Sequence, residues 1–222
     1  YMEMDRAASE GRFAEAVNCA DEMAQIRDEV GKVSPGLLPI TPDIFRIAHP
    51  WTSLETFRSF WEELADKAGG AKGELVVMLP REWEFRLDPT NDGPIYQWYL
   101  PGVGGKWNNI DTTLYWQAAG YQDERGVGYS GKAWYRTTFY VPAEAEGKKL
   151  MVTFGGIHHE GIWIWVNGFL TNYITDVNSK RPFDVDVTGH IKPGQENTIA
   201  VMVNRQALER EQRAGIYRRA FI

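Results

Sequence analysis

The stretch WIWVNGF, residues 163–169, decides the fold of this chain. Aliphatic and indole side chains alternate along it, which is the period of a β-strand with two different faces. One predicted face carries Ile162, Ile164 and Val166, and the other carries Trp163 and Trp165. Asn167-Gly168 follows directly and has the residues that a two-residue hairpin turn with positive φ requires. The segment therefore predicts a hairpin with an aliphatic side and a tryptophan side.

The same two-residue period recurs along most of the chain. Short strand-like runs are separated by turns rich in Gly, Pro, Asn and Asp, which predicts an antiparallel sandwich or barrel. Several runs have one aliphatic face, and we expect these faces to close a core between two sheets. The runs cover residues 75–79, 83–87, 110–115, 133–141, 150–154, 162–166, 169–174, 183–187, 198–203 and 216–222.

The first 70 residues have a helical period instead. We predict one or two helices over residues 2–30, broken near Gly11 and ended at Gly31, and a further helix over residues 53–68. This pattern predicts two domains, an α-helical segment over residues 1–72 and a β domain over residues 73–222. The helical segment either packs on the β domain or is the end of a preceding domain.

Composition narrows the function classes. The 24 Lys and Arg residues are scattered through a chain of net charge -6, so no nucleic-acid partner is expected. No apolar run has the length of a membrane span, and no membrane partner is expected. Cys19 is the single cysteine, which excludes an internal disulfide. Because the chain begins inside a charged, helix-like stretch, we expect it to be a piece of a longer protein.

A longer pattern surrounds the opening hairpin. Its segments are Trp134-Tyr135-Arg136, Val166-Asn167-Gly168, Phe183 with Asp186-Val187-Thr188, and a closing Gly215-Ile216-Tyr217-Arg218. In this order they closely resemble the sugar-binding jelly-roll domain of glycoside hydrolase family 2, the β-galactosidase and β-glucuronidase group. The resemblance implies a mainly β chain, an antiparallel jelly-roll β-sandwich of the galactose-binding-like type, preceded here by the α-helical segment.

The resemblance also carries functional expectations. In that family the catalytic glutamates lie in a separate barrel domain, and no segment here resembles that barrel, so no catalysis is expected from this chain in isolation. The implied function is a non-catalytic carbohydrate-binding or accessory module of a larger polysaccharide-degrading enzyme. The implied partners are an oligosaccharide or polysaccharide and the catalytic domain of the same protein. The resemblance favours an extracellular or periplasmic location, and neither a cofactor nor a bound calcium is predicted.

The loop GIHHEG, residues 156–161, is the first candidate site. His158, His159 and Glu160 can hydrogen-bond to sugar hydroxyls or to a partner domain, or they can be ordinary loop-packing residues. In an extended segment His158 and His159 point to opposite faces, so only His158 and Glu160 could share a ligand. A metal site is therefore not predicted.

Two further loops supply candidate carbohydrate ligands. Planar polar groups beside aromatic rings are typical of carbohydrate recognition, although exposed loops often have a similar mixture. In GYQDERGVGYSG, residues 120–131, the candidates are Tyr121, Asp123, Glu124 and Tyr129. In TDVNSKRP, residues 175–182, they are Asn178 and Arg181, and the competing interpretation is a solvated hairpin tip.

Trp163 is the candidate stacking platform. An indole on the outer face of a sandwich can stack on the apolar face of a sugar ring. The competing interpretation is that Trp163 and Trp165 are covered by a loop, a strand or the helices. Trp134, Tyr135 and Arg136 are expected to be structural.

Two other functions stay open on the sequence alone. In one, the chain is a structural interaction module that docks a catalytic domain without binding sugar itself. In the other, it is an independent jelly-roll glycosidase or lyase that uses His158, Glu160 and a tyrosine.

Overall fold

The computed structural model describes residues 2–34, 54–122, 128–175, 181–205 and 213–222. The chain divides into two compact units, residues 1–75 and residues 76–222. The first unit is helical and the second is built from strands.

The helical unit contains α1 (Met2–Ser9), α2 (Phe13–Val33) and α3 (Leu54–Gly69). Gly11 separates α1 from α2 with a φ of 81°, a conformation that favours glycine. The predicted break is therefore confirmed. The predicted end at Gly31 is wrong, because α2 continues to Val33; a single interior glycine costs a helix only about 1 kcal/mol.

The helices of this unit are joined by an aromatic contact and by surface ion pairs. The rings of Phe13 and Trp61 stack with their centroids 6.4 Å apart, which packs α2 against α3. Arg58 Nε donates to Asp21 Oδ1 at 2.5 Å, and Arg27 pairs with Glu55. Exposed pairs of this kind add little free energy, so the buried apolar stripe is the main stabilising feature. That stripe contains Met4, Ala7, Ala8, Phe13, Ala16, Ala20, Leu54, Phe60, Trp61 and Leu64.

The second unit is an antiparallel two-layer β structure. Its described strands are β1 (Glu82–Asp88), β2 (Asn108–Asp111), β3 (Gly131–Val141), β4 (Met151–His158), β5 (Gly161–Val166), β6 (Phe169–Ile174), β7 (Phe183–Asp186), β8 (Gln195–Arg205) and β9 (Gly215–Phe221). A short 3₁₀ helix, Ala143–Ala145, follows β3.

The strands form two sheets around one core. The larger sheet has the order β2-β1-β3-β8-β5-β6, and the smaller has the order β7-β4-β9. Alternate residues of both sheets point inward, and most of these inward side chains are aliphatic. Representative members are Val152, Ile162, Ile164, Val201 and Ile216. The predicted fold class, mainly β with an N-terminal α-helical segment, is confirmed, and the jelly-roll topology stays a prediction.

The opening hairpin is held by the side chain of its turn residue. Asn167 has a φ of 50° and Gly168 a φ of 84°, as the predicted turn requires. Asn167 Nδ2 donates to the His190 carbonyl and to Asn197 Oδ1, each at 2.7 Å, and Asn167 Oδ1 accepts from the Thr198 N–H at 2.9 Å. The turn is therefore anchored to the connection between β7 and β8 through His190 and to the start of β8 through Asn197 and Thr198.

Three predicted strands differ from the structure. The run over residues 150–154 continues as β4 to His158, so the first half of the predicted loop GIHHEG is strand. Of the run predicted over residues 110–115, only Ile110 and Asp111 lie in a strand, which is β2. The chain turns after Asp111, because Asp111 Oδ1 accepts from the Thr113 N–H at 2.8 Å. The run over residues 75–79 forms only an isolated bridge, Met78 to Phe221. Its N–H groups nevertheless pair with the end of β9, with Leu79 N–H donating to the Ala220 carbonyl at 3.0 Å.

Candidate functional site

The indole face of the hairpin belongs to a regular row across the larger sheet. Strand register places Trp134, Met202, Trp163 and Tyr173 side by side on β3, β8, β5 and β6. The neighbouring row holds Arg136, Ala200, Trp165 and Leu170. These residues form the outer face of the sheet, opposite the aliphatic core.

Most of this outer face is covered. Trp165 is 8% exposed because it lies between two rings, with Trp134 stacked at 4.9 Å and Tyr99 at 5.3 Å between centroids. Trp98 contacts Trp134 edge-on at 6.3 Å, and Trp107 contacts Trp98 at 6.0 Å. The cover is therefore the segment that connects β1 to β2, residues 89–107, which we call the covering segment.

Arg136 fixes the covering segment from below. Its Nη1 donates to the carbonyls of Trp98 at 3.1 Å and Val103 at 3.0 Å, and also to the carbonyl of Leu100. Its Nε donates to Glu84 Oε2 at 2.7 Å, and its guanidinium lies 4.2 Å from the centre of the Trp107 ring. The expected structural role of Arg136 agrees with these contacts.

Asp88 fixes the start of the same segment. Its carboxylate accepts from the N–H groups of Asp92 at 2.7 Å and Gly93 at 3.1 Å, and from Trp134 Nε1 at 2.9 Å. Asp88 is buried, so these donors replace the water that the charge loses. Trp134 is thus held by a carboxylate as well as by ring contacts, which agrees with the structural role expected for it.

Trp163 is only half-buried. Its ring stacks on Tyr173 with centroids 4.5 Å apart and an interplanar angle of 22°, and the Lys132 amine lies 5.9 Å from the ring centre. Tyr173 is 57% exposed. One ring face of Trp163 is therefore used by a protein ring, and the tyrosine presents the open aromatic surface at this edge.

A second aromatic group lies at the C-terminal end of β4. The rings of Tyr115 and Tyr217 stack with centroids 4.6 Å apart, and His158 contacts Tyr115 edge-on at 6.2 Å. We call Tyr115, His158 and Tyr217 the tyrosine cluster. They come from the connection after β2, from the end of β4 and from β9.

Backbone contacts assemble the tyrosine cluster. Trp116 N–H donates to the Ala214 carbonyl at 3.1 Å, which brings Tyr115 beside β9. Gly156 leaves room for the Tyr217 ring, because a Cβ at Gly156 would lie 2.7 Å from a carbon of that ring. The first glycine of the sequence GIHHEG is therefore explained by a ring placed over it.

The tyrosine cluster has two protonated phenol hydroxyls and two arginine side chains near them. Both hydroxyls are protonated at neutral pH, as tyrosines ordinarily are, and burial raises the pKa of each further, so both can donate as well as accept. The positive charges of Arg213 and Arg218 act on both rings in the opposite sense. The Arg218 guanidinium lies 5.1 Å from the centre of the Tyr217 ring. Such a site suits a hydroxylated ligand that carries negative charge.

His159 and Glu160 differ from His158. His159 is buried, and burial lowers its pKa to about 4, so it is neutral in the folded protein. Glu160 Oε1 accepts from Arg205 Nη1 at 3.0 Å, which joins the loop to the end of β8. The structure therefore places His158 in the tyrosine cluster, His159 in the interior and Glu160 in an ion pair.

Tyr121 and Tyr129 pack against the core. The Tyr121 ring lies 4.5 Å from Phe85 between centroids, and Tyr129 Oη donates to the Lys132 carbonyl at 3.0 Å. Burial raises the pKa of Tyr129 to about 12. Both rings are therefore packed against the core of the β unit, and their role as carbohydrate ligands stays a prediction.

The remaining candidates divide between described and undescribed parts of the chain. Arg181 is described and exposed. Asp123, Glu124 and Asn178 lie outside the described residues. Within the described ranges, no group of three His, Cys, Asp or Glu side chains could hold a metal ion. None of the described helices is long and apolar enough to cross a membrane.

Sequence reasoning missed Tyr115 and Tyr217 as site residues. Tyr217 lies in the family-like GIYR segment, and Tyr115 ends a run that was predicted to be a strand. The available signal was the GG pair of residues 155–156, since adjacent glycines inside a strand mark a close approach by other groups.

A family model described as β-galactosidase second all-beta domain matches residues 96–209. Among curated proteins, a β-glucuronidase of Paenibacillus borealis is 30% identical over 131 residues, which are 55% of this chain and 20% of that protein. A β-glucuronidase of Formosa agariphila is 33% identical over 85 residues, 38% of this chain and 8% of that protein. The chain thus spans a fifth or less of these relatives.

Solved structures give the same picture. A β-glucuronidase from Ruminococcus gnavus in complex with a C6-substituted uronic isofagomine is similar with a TM-score of 0.52 and 28% identity, over 58% of this chain and 21% of that one. The crystal structure of Ruminococcus gnavus β-glucuronidase is similar with a TM-score of 0.57 and 24% identity, over 65% of this chain and 28% of that one. The second likeness concerns the fold alone.

Proposed function

Because this chain belongs to the family of the β-galactosidase second all-beta domain, we propose that it binds the uronate end of an oligosaccharide through its tyrosine cluster, as the non-catalytic accessory domain of a larger glycoside hydrolase. The predicted relationship to the β-sandwich domain of glycoside hydrolase family 2 is confirmed by the family match and by the β-glucuronidase relatives. The proposal adds a ligand class and a place for it.

One observation carries the proposal. Tyr115, His158 and Tyr217 are half-buried, adjacent and flanked by the cations Arg213 and Arg218. Aromatic rings can pack on the apolar face of a sugar, phenol hydroxyls can pair with sugar hydroxyls, and guanidinium groups can pair with a carboxylate. The relatives described above are β-glucuronidases, and several structures hold uronic-acid analogues or glucuronic acid.

The tryptophan side chains of the larger sheet are engaged in packing within the protein, which favours a saccharide site elsewhere. Trp134 and Trp165 are buried under the covering segment, whose own Trp98 is buried as well, so a sugar ring has no access to them. Trp163 already stacks on Tyr173. The indole side of the opening hairpin therefore stabilises the sandwich. We propose that the saccharide binds at the tyrosine cluster, at the end of β4.

The test is a calorimetric titration of the 222-residue chain with a glucuronate-terminated disaccharide and with the matching glucose-terminated one. We expect weak binding, with a dissociation constant on the order of 1 mM, for the uronate and weaker binding for the neutral sugar. Tyr217→Ala should abolish the heat of binding. Arg218→Gln should remove the preference for the uronate while leaving residual binding of both disaccharides.

Tyr140→Ala is the matched control, since Tyr140 is an exposed tyrosine outside the tyrosine cluster. It should bind both disaccharides as the unmodified chain does. The absence of binding to either disaccharide, or equal loss in the control, would contradict the proposal.

The second candidate function is a structural module that docks a catalytic domain. The observation in its favour is the exposure of Ile95 and Tyr96 in the covering segment, which places two large apolar side chains in solvent. The paired change Ile95→Ser and Tyr96→Ser separates the two functions. Under the docking function it weakens association with the catalytic domain and leaves the disaccharide titration unchanged.

A further inference from the structure

The connection between β4 and β5 crosses from the smaller sheet to the larger one. β4 ends at His158, β5 begins at Gly161, and only His159 and Glu160 lie between them. The neighbours of His159 have contacts on different sides of the crossing, since His158 belongs to the tyrosine cluster and Glu160 is paired with Arg205 at the end of β8. A movement of this short crossing therefore changes contacts with both sheets.

His159 is buried in the crossing without hydrogen bonds. It is 8% exposed, and neither of its ring nitrogens has a hydrogen-bond partner among the residues that the structure describes. The neutral imidazole already leaves one donor and one acceptor unsatisfied, which costs free energy. Protonation adds a second unsatisfied donor and a buried charge. The folded arrangement therefore favours the neutral ring strongly.

The charged groups around His159 add to this preference. Burial is the main cause of its lowered pKa, and His158 on β4 and Arg205 on β8 oppose a positive charge on its ring as well. The Glu160 carboxylate is already paired, because Arg205 Nη1 donates to it at 3.0 Å. The ionisable groups that β9 and the connection after β2 place at this end of β4 are Tyr115, Arg213, Tyr217 and Arg218. None of these four supplies a negative charge at neutral pH.

We propose that residues 158–161, which we call the latch, open in acid and that protonation of His159 is the trigger, which separates His158 from Tyr115. In the open latch the charged imidazole lies in solvent, where water supplies its hydrogen bonds. His158 is the next residue of the same short crossing, so it leaves the tyrosine cluster and saccharide affinity falls. The effect on affinity rests on the proposed function, whereas the opening of the latch does not.

The direction of the effect follows from the protonation of the two states. The pKa of His159 is about 4 in the closed latch and about 6.5 when the ring is exposed, so the open latch binds the proton more tightly. The closed latch is therefore favoured above pH 6.5, and that preference is lost as the pH falls towards 4. From pH 7.5 to pH 5.0 the ratio of open to closed molecules should rise about 30-fold.

Hydrogen exchange of the Glu160 amide measures the opening of the latch. This N–H donates to the Asn204 carbonyl at 2.9 Å, and the bond breaks when the latch opens. In the unmodified 222-residue chain its protection factor, corrected for the intrinsic exchange rate, should fall about 30-fold between pH 7.5 and pH 5.0. A constant protection factor would overturn the proposal. So would a protection factor equal to the global folding constant measured in urea, because the opening would then be global unfolding.

Three substitutions identify the histidine responsible. In His159→Gln the protection of the Glu160 amide should be nearly independent of pH, because glutamine does not titrate. His158→Gln and His190→Gln are the matched controls, and both should keep a fall of similar size. The His190 ring stacks on Phe169, which lies outside the latch. A pH dependence that persists in His159→Gln and disappears in a control would assign the trigger to another histidine and refute the proposal.

The link to the tyrosine cluster is tested with and without saccharide. The nuclear Overhauser contact between the rings of His158 and Tyr115 should weaken from pH 7.5 to pH 5.0 in the unmodified chain and persist in His159→Gln. Over the same range the affinity for the glucuronate-terminated disaccharide should fall about threefold or more. Protonation of an exposed histidine beside the ligand would strengthen carboxylate binding instead.

The outcomes separate the latch from the proposed function. An unchanged ring contact, or an affinity that rises on acidification, contradicts the latch. The absence of disaccharide binding at both pH values contradicts the proposed function, and the Glu160 amide and the ring contact then decide the latch without saccharide.

Discussion

The Tyr217 ring lies over Gly156, at a place where a Cβ would come within 2.7 Å of the ring. This contact joins β9 to the glycine pair of β4 and fixes one wall of the tyrosine cluster. A side chain at position 156 is therefore incompatible with the present position of the ring. The arrangement makes the cluster sensitive to a single methyl group.

Gly156→Ala is expected to move Tyr217 and to weaken saccharide binding strongly. Strain from the added methyl should also lower the free energy of unfolding by about 1–3 kcal/mol. Disaccharide titration and denaturant unfolding measure the two effects. Gly189→Ala is the matched control, since a Cβ there meets no atom within 4 Å. Normal binding by Gly156→Ala would show that the ring position does not matter for the ligand.

Arg136→Gln is expected to loosen the covering segment. The change removes the ion pair with Glu84 and leaves the carbonyls of Trp98 and Val103 without their charged donor. We expect the free energy of unfolding to fall by about 2–4 kcal/mol, together with greater quenching of tryptophan fluorescence by acrylamide. In Arg86→Gln, which removes only a guanidinium stacked 3.8 Å over Trp98, the loss should stay below about 1 kcal/mol.

The sequence predicted the elements whose signal is local. The alternation at residues 162–166 gave β5 with its correct inner face, and Asn167-Gly168 gave the turn, because period and turn chemistry are properties of adjacent residues. The coverage of Trp165 could be stated only as an alternative. It depends on Tyr99, which is far from β5 in sequence and stacks on Trp165 only in the folded chain.

The tyrosine cluster could not be predicted for the same reason. Tyr115, His158 and Tyr217 come from three distant segments, and their contact depends on where β4 and β9 pair. The segment GIHHEG, predicted as a loop, did indicate His158, which lies at the end of β4, but the sequence could not separate it from His159. Burial distinguishes the two histidines, and burial is a property of the folded chain.

His159 is expected to make the stability of the chain depend on pH. Its pKa is about 4 in the folded state and about 6.5 when exposed, so between these values the unfolded chain binds a proton that the folded chain does not. Stability should therefore fall as the pH drops from 6.5 towards 4, by up to about 3 kcal/mol. Urea unfolding at several pH values measures the slope.

His159→Gln should reduce that slope, because glutamine does not titrate. The free energy of unfolding of the variant at pH 7.5 measures any packing cost of the substitution, because that cost does not depend on pH. If the unmodified chain and the variant lose stability in parallel on acidification, His159 is not the group responsible.

Glu160→Gln tests whether the chain is an enzyme by itself. The Glu160 carboxylate is paired with Arg205, and the accessory function predicts no cleavage of a glucuronide by the unmodified chain or by the variant. The assay is release of reducing sugar over days at high protein concentration. Cleavage by the unmodified chain that disappears in Glu160→Gln would favour the independent glycosidase or lyase instead.

Chemical-shift mapping with the glucuronate-terminated disaccharide is the most direct test of where the ligand binds. The account predicts shifts for the backbone amides of residues 156–158 and 215–218, whereas the indole N–H signals of Trp98, Trp134 and Trp165 stay in place. Shifts centred on Trp163 and Tyr173, or no shifts at saturating disaccharide, would contradict the assignment of saccharide binding to the tyrosine cluster.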